Sequence, residues 1–206
     1  GDSPAAGCPG VSECNDVWYS ADGIDWTEAT GNAQFASRDN HEVLVYNDGT
    51  NKMWTMGGTT GTQLRDVWYS TDGIDWTQAT GTAQWSARET FGATVFDDGT
   101  NKMWVIGGNS ASAAQNDVWY STDGIDWTEA TGSAAWDARS RFGHTVHGNK
   151  IWVIGGDALA GVANDIWYTG GAIKNASGWA WASTIGWISF NSEDCDSDGD
   201  GLSDGI

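Results

Sequence analysis

Basic residues, proline, cysteine, histidine and long apolar runs are all scarce in this 206-residue chain. Nine Lys and Arg face 28 Asp and Glu, for a formal net charge of −19. Such a charge repels nucleic-acid phosphates and anionic membrane surfaces, and excludes both as partners. No run approaches the ~18 apolar residues of a membrane-spanning helix, so no membrane insertion is expected. Residues 1–10 lack the basic start and apolar stretch of a signal peptide, as a secreted protein would after processing. No segment shows helical periodicity with caps. The three cysteines, Cys8, Cys14 and Cys195, lack the fourth ligand and close spacing of a structural zinc site.

What is abundant is glycine, with 29 residues, and tryptophan, with 15. Short apolar runs between Gly, Asn and Asp read as an all-β chain rich in turns. Internal repetition dominates. Asp16-Val17-Trp18-Tyr19-Ser20 returns at Asp66, at Asp117 and, altered, at Asp165, with offsets of 50, 51 and 48 residues. Lys52 to Gly58 returns as Lys102 to Gly108 and Lys150 to Gly156, and Arg38, Arg88 and Arg139 each open a further apolar stretch. Only Trp179, Trp181 and Trp187 fall outside repeat positions.

Each unit reads as four short strands. In the third unit these are Phe91–Phe96, Lys102–Ile106 (ended by the Gly pair), Val118–Tyr120 after a variable loop, and a short strand around Trp127. A Gly pair followed by Tyr, then Trp after six residues, recurs as Gly57-Gly58, Tyr69, Trp76 and as Gly107-Gly108, Tyr120, Trp127. This pattern resembles the kelch family over residues 15–170. Ser70-Thr71-Asp72-Gly73-Ile74-Asp75-Trp76, repeated around Asp22 and Asp123, resembles the Asp-box of sialidase-type propellers, one residue shorter. These resemblances imply a β-propeller of about four kelch-like four-stranded blades, or part of a larger ring. The N-terminal unit supplies only the last two strands of a blade, around Val17 and Trp26.

The expected organisation is an N-terminal Cys-containing segment (1–14), the repeats (15–170), a Trp-rich β-hairpin (171–191) and an Asp-rich loop (192–206). In that loop Asp196, Asp198, Asp200, the Leu202 carbonyl and Asp204 can converge on one hard cation, and Gly201 permits the turn. The loop resembles the calcium loops of thrombospondin type 3 repeats, which implies Ca2+. Asn175-Ala176-Ser177 is a glycosylation sequon. A bridge from Cys8 or Cys14 to Cys195 would clamp the ends together; one disulfide plus a free thiol, or a bridge to another chain, are the alternatives. Such bridging suits an oxidising compartment.

Catalytic readings are weak on residue grounds. The copper oxidases of kelch fold need two His, two Tyr and a nearby Cys, whereas this chain has His41, His144 and His147 with no Cys inside the repeats. A sialidase needs three clustered arginines, and Arg38, Arg88 and Arg139 are repeat-equivalent, which points to anchoring; Arg65 and Arg141 are the non-repeated ones. The expectation is therefore a non-catalytic, calcium-stabilised propeller, secreted or on the cell surface. It would bind a protein partner or identical subunits, with a head-to-tail homopolymer as one form. Its binding surface would be the variable loops after each Gly pair. The alternative is a carbohydrate-active enzyme of sialidase-like type, or a lectin-like module with a glycan as partner.

Overall fold

The computed structural model describes residues 13–169 in full and, beyond them, the backbone of residues 171–173, 180–182 and 186–188. Cys8, Asn175, Cys195 and the loop Asp196 to Asp204 lie outside the described residues. The described secondary structure is all strand.

Four sheets follow one another in chain order. The first pairs β1 (Val17–Tyr19) with β2 (Thr27–Thr30). The second runs β3 (Glu42–Asn47), β4 (Asn51–Met56), β5 (Val67–Ser70), β6 (Thr77–Thr80) in simple succession. The third contains β7 (Arg88–Glu89), β8 (Gly92–Asp97), β9 (Asn101–Ser110), β10 (Ala114–Ser121) and β11 (Thr128–Thr131). The fourth contains β12 (Arg139–Ser140), β13 (Gly143–His147), β14 (Lys150–Ala158), β15 (Gly161–Tyr168) and β16 (Gly171–Ile173). A separate hairpin pairs β17 (Ala180–Ala182) with β18 (Gly186–Ile188).

Local chemistry explains the strands. Along β3, Leu44 and Tyr46 are buried while Val43 and Val45 are exposed, the period-two pattern of a half-covered strand. Tight Asp-Gly turns then reverse the chain: the Gly49 and Gly99 amides donate to Asn47 Oδ1 and Asp97 Oδ1 at 2.9 and 2.8 Å.

Consecutive sheets are joined by apolar cores. Ala33, Phe35 and Trp76, flanked by Val17, Met53 and Trp68, join the first and second. Trp54, Met56, Trp85, Met103 and Trp127 centre the core of the second and third. Phe96, Trp104, Trp136, Ile151 and Val153 centre that of the third and fourth.

The closed kelch propeller expected from the repeats is not formed. Every sheet takes its strands from one contiguous stretch of chain, and none combines early with late strands among the described residues. The physical reason lies in the pairing. Closure would require late strands to complete the two-stranded first sheet, but β16 pairs with β15 of its own sheet, Ile166 opposite Ile173. The four sheets are therefore open. Among the described residues the Asp-box arrangement is likewise absent: the Asp-Gly turns sit on separate open sheets, and the sequence that follows Tyr168 has no Asp-Gly pair at the turn position. A function resting on a propeller, whether partner binding, assembly or glycan processing, loses its structural basis.

Two smaller expectations also change. The Gly pair does not end the second strand of the third unit. Gly107 and Gly108 take positive φ, 49° and 98°, and β9 continues through them to Ser110. The region between Gly108 and Asn116 is consequently mostly hairpin, with Ala114 opposite Asn109, and Gly156 to Asn164 pairs similarly across β14 and β15.

Candidate functional site

The repeat arginines occupy three equivalent clamps. Arg38 donates to both carboxylate oxygens of Asp66 at 2.8 Å and to Gly57 O at 2.9 Å. Arg88 does the same with Asp117, at 2.7 Å twice, and with Gly107 O at 2.8 Å. Arg139 repeats it with Asp165 and Gly155 O. Each aspartate also accepts from an indole N–H two residues on: Trp68, Trp119 and Trp167. Burial alone would raise the Asp117 carboxyl, but the hydrogen bonds and charge of Arg88 outweigh it and hold the pKa below the usual range. Arg139 holds Asp165 down in the same direction. Arg88 and Arg139 lie in the third and fourth sheets and Arg38 precedes the second; each is consumed by its own carboxylate, so they form no sialidase-like anion site. Of the non-repeated pair, Arg65 donates to Ala83 O at 3.4 Å and Arg141 to Asp157 at 3.0 Å.

The second repeated device is the turn that seats a tryptophan. In the second sheet the Gly73 amide donates to Ser70 Oγ at 2.8 Å, and the Ile74 and Asp75 amides to Asp72 Oδ1 at 2.9 and 3.0 Å. These amide bonds lower the Asp72 pKa. The turn folds Trp76 back, so that its Nε1 donates to Gly73 O at 3.2 Å and its backbone amide to Gln34 Oε1 at 2.6 Å. The indole stands edge-on to Phe35, ring centres 5.1 Å apart. The third sheet repeats the arrangement: Trp127 bonds Gly124 O and Gln84 Oε1 and stands at 90° to Trp85. Gly124 is required there, because a Cβ would meet Trp54 at 2.2 Å and its φ is +73°. The second and third sheets thus each contribute a tryptophan that plugs the gap towards the sheet before it.

Among the described residues the fourth sheet has no such plug. Its gap towards the third sheet is an open cleft of about 500 Å³, within the size range of ligand sites. Trp104, Ile106 and Val118 of the third sheet form one wall, Ile151, Val153, Trp167 and Tyr168 of the fourth another, and Ala130, Ala134, Ala135 and Trp136 the floor. Residues in these repeat positions surround Trp127 in the preceding interface: Trp54, Met56 and Val67, then Met103 and Val105, with Ala83 and Trp85. One anchor differs. Ala135 stands where Gln34 and Gln84 hold the plug's backbone amide. The cleft residues were not singled out from the sequence. The available signal was Ala33-Gln34-Phe35 and Ala83-Gln84-Trp85 against Ala134-Ala135-Trp136, together with the loss of Trp after Tyr168.

The histidines do not assemble a copper set. His41 is part-buried, and desolvation lowers its pKa, with Arg38 adding to the effect. His144 Nε2 lies 3.0 Å from Ala93 O and 4.0 Å from Glu42 Oε2. Burial lowers the His144 pKa and pushes Glu42 up to about 7. His147 is exposed. No group of three or more metal-ligating side chains occurs among the described residues. Cys14 is disulfide-bonded.

No protein-family model matches the chain, and no curated protein matches it.

Proposed function

We propose that the chain is a non-catalytic interaction module that holds an aromatic side chain of a protein partner in the cleft between the third and fourth sheets. The observation that carries this reading is the equivalence of the open cleft to the gap that Trp127 fills one interface earlier. A tryptophan in such a turn satisfies its own N–H through the turn carbonyl, which suits a cleft with predominantly apolar walls. Engagement of the repeat arginines and aspartates in structural clamps supports a scaffold over a catalyst. The disulfide at Cys14 supports a secreted or cell-surface location. Ca2+ at Asp196, Asp198, Asp200, Leu202 and Asp204 is a separate proposal that rests on the sequence alone.

The test is a titration of the full chain with N-acetyl-L-tryptophanamide, followed through the methyl resonances of Ala130 and Ala134. Saturable shifts that vanish in Ala134→Phe, which fills the floor, support the reading. Unchanged resonances at millimolar ligand would sink it.

A further inference from the structure

The tryptophan without a seat and the seat without a tryptophan occur on the same chain. Trp26 sits at the end of the first-sheet turn, which is already formed: the Gly23 amide donates to Ser20 Oγ at 2.8 Å, and the Ile24 and Asp25 amides to Asp22 Oδ1 at 2.8 and 3.0 Å. The same bonds, to within a tenth of an ångström, hold the turns of Trp76 and Trp127. Yet Trp26 is 59% exposed, where Trp76 and Trp127 are 7% and 4%. Tyr19 and Ile24 beside it are exposed as well. A cluster of large apolar side chains around a rigid turn is a surface prepared for a partner.

We infer that the cleft of one copy receives the Trp26 turn of a second copy. This rests on the reading of the cleft as an aromatic-binding site and names its occupant. The geometry favours a second copy over the same molecule, because the second sheet and its core stand between the first sheet and the cleft. The contact continues an interface already built, since the third–fourth core runs directly into the open cleft. Charge also matches at the rim. Lys150 lies 4.1 Å from the Tyr168 ring centre, on the cleft wall. Its repeat counterparts Lys52 and Lys102 are paired with Asp48 and Asp98, whereas the shorter Gly148-Asn149 turn here carries no aspartate. Among the described residues Lys150 has no carboxylate within bonding distance, and the incoming turn carries Asp22 and Asp25.

The contact is heterologous, plug to socket, so each copy retains a free plug or socket after one pairing. It is also weak. A single turn in a cleft buries far less than the roughly 1,200 Å² of a stable complex. Ala135 withholds the amide anchor that glutamine supplies elsewhere, and two chains of charge −19 repel each other until salt screens them.

Sedimentation velocity on the full chain tests the inference, over a concentration series at moderate salt. Reversible association is expected in the wild type and absent in Trp26→Ala and in Ala134→Phe. Ala135→Gln restores the missing anchor and tightens association by roughly two- to tenfold, the worth of one hydrogen bond. Association of Trp26→Ala at wild-type strength overturns the inference, as does a wild type that stays monomeric throughout. N-acetyl-L-tryptophanamide separates the two failures. If it still binds the cleft, the aromatic-site reading stands and only the second copy is wrong; if it binds neither the wild type nor a variant with Trp179, Trp181 and Trp187 replaced by alanine, both fall. Binding of the amide only after Trp179, Trp181 and Trp187 are replaced by alanine would give the cleft to the chain's own C-terminal segment and overturn the second copy as occupant.

Discussion

Arg88 and Asp117 meet in a two-pronged ion pair, 2.7 Å on both prongs, with the arginine side chain wholly buried. The same guanidinium bonds Ser86 O and Gly107 O, so it ties the entry of the third sheet to its long hairpin and to the bulge at the Gly pair. A buried cation held this way tolerates no loss of its partner.

Asp117→Ala is accordingly expected to destabilise the fold by about 3–5 kcal/mol, because it leaves an uncompensated charge inside. Arg88→Lys recovers little, since an ammonium cannot reproduce the fork. Urea denaturation of the variants measures both effects.

Acid should act through the same clamps. Asp117 and Asp165 have folded pKa values below their unfolded ones. Their stabilisation is fully present above the unfolded pKa of ~3.9 and is lost as pH falls through the folded values. Thermal melts between pH 5 and pH 2 should show a steep fall, and Asp117→Asn should flatten it.

Glu42 has the opposite sign. Burial raises its pKa to about 7, so the folded state binds a proton that the unfolded state has already released. Stability from this group is greatest below its unfolded pKa, declines as pH rises towards 7 and stays low above it. Glu42→Gln should therefore melt higher than the wild type at pH 8, by about 1–3 kcal/mol, and show no gain at pH 4. A gain of equal size at both pH values would contradict the assignment.

Identical turns should give unequal mutational costs. Trp127→Ala removes a buried indole and is expected to cost about 3–5 kcal/mol. Gln84→Ala, which unties the Trp127 amide, should cost about 1 kcal/mol. Trp26→Ala, at an exposed site, should stay within about 0.5 kcal/mol of wild type. Chemical denaturation of the three proteins, at concentrations too low for association, reads the contrast directly.

Much of the local structure was legible in the residues. Alternation in Val43-Leu44-Val45-Tyr46 marks a strand with one buried face, and Asp72-Gly73 marks a turn, because both signals depend on near neighbours. The anchoring role of Arg38, Arg88 and Arg139 followed from their recurrence. The continuation of β9 through Gly107 and Gly108 was not legible, since a glycine pair ends a strand or bulges it with equal ease. Nor was the Glu42 environment. Its repeat counterparts are Gly92 and Gly143, and only the packing shows that desolvation falls on this carboxylate.

The amino-acid pattern alone settles that this chain makes repeated hairpins, with arginines that anchor them and tryptophans folded back by Asp-Gly turns; the carboxylates that hold the arginines are seen only in the packing. Hairpin, anchor and turn are each decided within a few residues or within one repeat, where hydrogen bonding and side-chain alternation act locally. Whether the sheets close into a ring is a different matter. Closure depends on which distant strand takes a free edge, and repetition carries no information about that choice; in the tertiary structure the fourth sheet keeps β16 and the series remains open. The same holds for the cleft. Loss of one tryptophan and exchange of one glutamine for Ala135 leave an open cleft only because packing brings the third and fourth sheets to the distance that the missing side chain would have filled.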